Sequence, residues 1–293
     1  MRENDSLELK IIRVALPLLV YYGILLCVQT AFGIYAMIEK FINIGESDTA
    51  GYLLAYHFLD NTEEYLSHHS LVAAFIAEVL TVAVLLIVMR REFGDTVFTG
   101  YQYMGRKEIL FLGFLGIFTS SGLGRLVNLF PVDNLLGSYA RVSEEFAGNP
   151  MLFQILTLCI AAPVAEEIIF RGIMYRRLAE YVDQGTAVTV SAVIFGVYHG
   201  NLVQGIYALI LGVLLCFAYE SCKSLMAPVF LHMICNTTAL IMMYFPVSGY
   251  IDGNTALKMI VMLLELAGMG FFFYQLYRLK SEVTESNTYG KEE

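Results

Sequence analysis

Residues 150–170 read PMLFQILTLCIAAPVAEEIIF, an apolar run whose only charges are two adjacent carboxylates, Glu166 and Glu167. A helix needs about 20 mostly apolar residues to cross the hydrocarbon core of a bilayer, and this run supplies that length. Seven further runs of the same kind lie at 11–37, 68–89, 108–130, 186–200, 202–219, 224–245 and 256–277. The run at 186–200 is short and meets the next at His199-Gly200-Asn201, which predicts a tight helical hairpin. The composition agrees: 57% of the 293 residues are apolar and 15% charged, with a mean hydropathy of +0.63. A soluble domain carries about 25% charged residues. The expected fold is therefore all-α, a polytopic integral membrane bundle of about eight transmembrane helices. Disorder, nucleic-acid binding and a secreted disulfide scaffold are set aside.

Charge placement carries more information than the net charge of −9. With the N-terminus inside, fourteen of the 18 Lys and Arg fall on that side of the membrane. Only Lys40, Arg125, Arg141 and Lys258 fall on the other. That asymmetry predicts both termini in the cytoplasm. The first run is too long for the core of a signal peptide and reads as a retained helix. Residues 38–67 read as an acidic external loop and 131–149 as an external linker or interfacial helix. The five cysteines lie in or at the ends of spans and read as small hydrophobes. No internal repeat is evident. The division expected is 1–149, three N-terminal helices; 150–245, four helices carrying the chemistry; and 246–293, a last helix and cytoplasmic tail.

A charged side chain at the centre of a spanning helix costs about 2.5–3.5 kcal/mol on insertion scales, so polar residues there are informative. Glu167 and Arg171 are four apart and share a helix face, which predicts an ion pair. Glu166 points about 100° away, lacks that partner and is the carboxylate left for chemistry. Both glutamates snorkelling to the interface is the blander reading. His199 ends the fifth run, and His232 and Asn236 sit four apart in the seventh. Each alone reads as packing or interhelical hydrogen bonding. His57, His68 and His69 read as loop or span-edge residues. Together, a carboxylate, two histidines and an amide on three spans point to one polar cavity equipped for hydrolysis. A buried carboxylate takes a proton from water, a histidine orients that water or protonates the leaving amine, and a His–Asn pair steadies an oxyanion. No G-x-S-x-G and no activated cysteine offers another nucleophile.

Glu166-Glu167-x-x-x-Arg171, Phe195-x-x-x-His199 and His232-x-x-x-Asn236 resemble, in order, the three motifs of the CPBP intramembrane protease family. This group contains the Rce1-type CAAX prenyl endopeptidases and the bacterial Abi proteins of bacteriocin processing and self-immunity. The resemblance covers about residues 150–245. It implies that Glu166 is the general base, that His199 holds the water with it, and that His232 and Asn236 form the oxyanion site. Glu167 and Arg171 would then brace the helix. It also implies a chamber open to the cytoplasmic side.

The cofactor stays unknown from sequence. Glu166, His199 and His232 form a conceivable His₂Glu zinc set, but no H-E-x-x-H is present, and a glutamate-driven route without an obligatory metal is the expectation. The expected partners are a membrane-associated peptide or protein substrate and the lipid bilayer, with no nucleic acid. The function expected is an intramembrane endopeptidase for CAAX-like processing, bacteriocin or pheromone maturation, or self-immunity, in a bacterial plasma membrane. Two competing readings are a non-catalytic membrane immunity or partner-binding protein and a proton-coupled transporter. Against the transporter stand the missing repeats.

Overall fold

The structure is a computed structural model that describes residues 6–43, 65–94, 104–127, 129, 146–245, 251 and 253–289. Most of the acidic loop and of the linker expected at 131–149, together with His57, lies outside the described residues. Among the described residues, eight long or apolar helices follow in order. They are α1 (Leu7–Asn43), α2 (Ser70–Phe93), α3 (Arg106–Val127), α4 (Met151–Ala179), α5 (Gln184–Tyr198), α6 (Leu202–Cys222), α7 (Met226–Tyr244) and α8 (Thr255–Tyr289). The described residues contain no strand.

Seven of these helices are long and apolar enough to cross a membrane. The eighth, α5, has 15 residues and reaches about 22 Å at 1.5 Å per residue. That is shorter than a full crossing of about 30 Å. The eighth span expected from sequence is thus an apolar helix too short for a full crossing. Large apolar side chains such as Leu26, Ile87, Val197 and Leu264 face outward, as they do where the surrounding solvent is hydrocarbon.

The bundle is built around α4, which packs on α1, α2, α5 and α7. The described N-terminal helices pack on the rest, with α2 leaning on α4 and α3 on α7 and α8. Side-chain to backbone bonds tie the start of α2 to that of α4. Asn149 Oδ1 accepts from the Leu71 amide at 3.3 Å, and Thr157 Oγ1 donates to the Leu71 carbonyl at 3.0 Å. At the opposite end Arg13 of α1 and Arg177 of α4 both bind Glu92 of α2.

Helix α4 is not uniform. Residues Gln154–Ala161 and Ile168–Tyr175 are π-helical and flank an α-helical segment, Ala162–Glu167. π-helical turns are often associated with functional sites. Pro163 gives a local reason for the first stretch to end where it does. In the π register the Leu158 carbonyl would bond the amide of residue 163, and proline has none.

Helices α5 and α6 form the expected hairpin. Gly200 turns the chain with φ +73, a conformation that glycine adopts without penalty. Asn201 caps α6 by accepting from the Gln204 amide at 2.8 Å. The two helices touch backbone to backbone. A Cβ at Gly196 would stand 2.8 Å from the Gly205 carbonyl oxygen.

Arg125, counted from sequence as an external charge, is instead buried in α3. Its Nε lies 3.0 Å from Glu265 Oε2 of α8.

Candidate active site

The Ala162–Glu167 segment of α4 presents its two glutamates to different neighbours. Glu167 is fully buried, and its Oε1 accepts from Arg171 Nη1 at 2.9 Å. Arg171, equally buried, also donates through Nη2 to the Gly212 carbonyl of α6 at 3.0 Å. Its guanidinium lies over the Phe195 ring, 4.5 Å from the centroid. This arginine therefore ties α4 to both helices of the hairpin.

His232 comes from α7 and is almost fully buried. Its Nδ1 is 2.9 Å from the same Glu167 Oε1. A carboxylate that already accepts from Arg171 is an acceptor only, so the ring nitrogen facing it carries the hydrogen. That fixes the tautomer of the neutral ring and leaves Nε2 as the free nitrogen. Nε2 in turn stands 3.8 Å from Glu166 Oε2. Glu166 Oε2 is itself buried without any hydrogen-bond partner. One oxygen of Glu167 is thus doubly engaged, and one oxygen of Glu166 is open toward His232.

His199 sits at the C-terminal end of α5, where its Nδ1 lies 2.8 Å from the Phe195 carbonyl. A carbonyl accepts, so Nδ1 again holds the hydrogen and Nε2 is free. The Phe195 ring lies edge-on to both imidazoles, with its centroid 4.9 Å from that of His199 and 5.7 Å from that of His232. Both histidines therefore carry the same tautomer and offer Nε2 as an acceptor when neutral.

Asn236 lies one turn beyond His232 on α7. Its Nδ2 donates to the Leu158 carbonyl at 2.8 Å, the carbonyl that Pro163 leaves without a π-register partner. One amide hydrogen is committed to holding α7 against α4, and the other remains.

Among the described residues no three His, Cys, Asp or Glu side chains cluster closely enough to hold a metal ion. Both histidines keep Nε2 available, and His232 Nε2 approaches Glu166 Oε2 at 3.8 Å, but no third such side chain closes a ligand set with them among the described residues. The residues present do not fit a His₂Glu zinc centre, and no step below runs through a metal.

Sequence reasoning missed Glu78 of α2. It is 5% exposed, and its Oε2 has no hydrogen-bond partner. It belongs to the buried stripe of α2, the helix that packs against Ala162–Glu167. The signal was an acid inside the apolar run 68–89. It was passed over because no motif surrounds it. His69, read as a span-edge residue, is half-buried and engages the Tyr65 carbonyl through Nδ1 at 2.8 Å, and His68 is exposed.

Residues 148–238 match the sequence family described as type II CAAX prenyl endopeptidase Rce1-like. The matched stretch contains all three motifs. The chain is also similar to a Bacillus subtilis (strain 168) protein named "Putative membrane peptidase YdiL". The two are 26% identical over 205 residues, which cover 68% of this chain and 83% of that protein. No solved structure matches.

Proposed function

We propose that this chain, whose residues 148–238 match the Rce1-like family of type II CAAX prenyl endopeptidases, cleaves peptide bonds with water activated by Glu166. At the level of its family it is an intramembrane protease, in a multi-pass membrane setting. One observation carries the finer reading: the unpartnered Glu166 oxygen facing the free Nε2 of His232.

The reaction balances with these groups alone. Water lies against Glu166 and the Nε2 of His199, both of which accept its hydrogens. As the water oxygen bonds to the peptide carbonyl carbon, its proton passes to the Glu166 carboxylate, and the carbonyl oxygen becomes an oxyanion. The proton then moves by way of His232 Nε2 to the amide nitrogen, the C–N bond breaks, and an acid and an amine leave. While His232 carries the proton its Nε2–H is a donor to the oxyanion beside the remaining Asn236 hydrogen, and Glu167 faces the imidazolium charge. This is the logic of a carboxylate-oriented histidine. Removing such a base lowers rates about 10²–10⁴-fold.

The substrate proposed is a membrane-associated peptide or protein, cut at the cytoplasmic side of a bacterial plasma membrane. The clustering of Lys and Arg on one side and the similarity to a Bacillus protein support that setting. Comparative peptidomics of cells carrying wild type or Glu166→Ala tests the assignment. Peptides that accumulate only with the wild type are expected; identical peptide sets would refute it.

A further inference from the structure

His232 and Asn236 of α7 are bonded to α4, at Glu167 and at the Leu158 carbonyl. Another side of α7 rests on α3, a helix that precedes the family-matched stretch. There Ser120 of α3, buried, donates through Oγ to the Cys235 carbonyl at 2.8 Å. A helical serine can return its hydroxyl to the carbonyl four residues back. The adjacent Ser121 does so, to Ile117 at 2.8 Å. Ser120 instead directs its donor to the neighbouring helix, at the residue that immediately precedes Asn236. Cys235, fully buried, answers with Sγ toward the Gly116 carbonyl at 3.5 Å.

Gly116 lies one turn before Ser120 and lets the two backbones meet. A Cβ there would stand 2.7 Å from Ile234 Cγ2, 2.9 Å from Ile234 Cβ and 3.2 Å from the Leu231 carbonyl oxygen. A methyl group at 116 therefore pushes α7 away from α3. Gly113 has more room, since a Cβ there first meets Phe230 Cε1 at 3.9 Å. Leu231, Ile234 and Cys235 thus meet α3, while His232 and Asn236 meet α4. Successive helical residues are about 100° apart around the axis, so a shift of α7 at residue 235 is carried to Asn236.

We infer that Ser120 is a positioning residue: through the Cys235 carbonyl it sets where the remaining Asn236 hydrogen meets the oxyanion. Gly116 supplies the close approach that the bond needs. This deepens the hydrolytic reading and rests on it for the identity of the group positioned. An interaction made only in the transition state lowers kcat when lost and leaves KM alone. Misplacing such a group by about 1 Å costs on the order of a hundredfold.

The test uses purified full-length protein in nanodiscs and a peptide that wild-type cells process. Ser120→Ala is expected to lower kcat about tenfold at unchanged KM, and Gly116→Ala by about tenfold or more. Ser121→Ala and Gly113→Ala, the controls on the same helix, should stay within about twofold of wild type. In an Asn236→Ala background the group positioned is gone, so Ser120→Ala should cost less than about twofold. A wild-type kcat for Ser120→Ala, with or without a lowered unfolding temperature, would overturn the inference. So would a tenfold loss that persists in the Asn236→Ala background. Should Gly116→Ala not fold, Ser120→Ala decides alone. Thermal unfolding reads the same coupling without cleavage. Ser120→Ala and Asn236→Ala should be non-additive there, and strict additivity would overturn the positioning role whatever becomes of the chemistry. If Glu166→Ala leaves cleavage intact, the hydrolytic reading fails while the unfolding cycle still reports on Ser120.

Discussion

Glu166 and Glu167 are chemically identical neighbours, and their surroundings alone divide their work. Glu167 Oε1 is shared between Arg171 and His232 in a fully buried setting, with Oε2 left open, whereas Glu166 keeps its open Oε2 toward His232 and slight exposure. Removing one member of a buried ion pair leaves the other charge uncompensated, which costs about 3–5 kcal/mol. Arg171→Met is therefore expected to lower thermal stability in detergent by roughly that amount, while Glu166→Gln leaves it nearly unchanged. Equal thermal shifts for the two variants would contradict this division. Much of it was legible in sequence, because i,i+4 spacing fixes which glutamate meets Arg171. The engagement of His232 with Glu167 was not. It joins residues 65 apart, and only the packing of α7 on α4 brings them together.

At the scale of the element, α4 and the α5–α6 hairpin set the positions of the chemistry. The ends of α3, α5, α6 and α7 lie close to those of the apolar runs, since hydrocarbon length dictates them, whereas α1, α2, α4 and α8 run on past theirs. The π-helical stretches of α4 were not, because no residue pattern in the run announces them. Their consequence is the bond from Asn236 to the Leu158 carbonyl, which takes the place of an amide that Pro163 lacks. An unpaired buried carbonyl costs about 1–3 kcal/mol, and Asn236→Ala should destabilise the protein by that order. In a Pro163→Ala background, where residue 163 regains its N–H, the same substitution should cost less. A double-mutant cycle by thermal unfolding reads the coupling, and strict additivity would contradict the account.

At the scale of the whole molecule, the chain holds its spans together with a few ion pairs placed between helices. Arg125 and Glu265 connect α3 to α8 across 140 residues, and neither drew notice as a pair in the sequence. Arg125 sits at a span end, where it counts as an external charge, and Glu265 lies alone in an apolar run. Helix α8 is otherwise held at the periphery of the bundle by α3 and α6. Arg125→Leu should loosen α8, seen as faster hydrogen exchange through 255–279 with little change in α4. Uniform exchange across both helices would contradict that. The overall architecture was legible because apolar length and charge asymmetry are properties of single segments. Pairings between segments, including the place of Glu78 beside α4, depend on tertiary packing that no single run encodes.

The central claim is that Glu166 takes the proton from the attacking water. Its most direct test is the cleavage rate of purified Glu166→Gln in nanodiscs, using a peptide that wild-type cells process. Gln keeps the shape and loses the base, so a loss of about 10²–10⁴-fold in kcat with an intact fold is predicted. A rate within a few-fold of the wild type would contradict the mechanism.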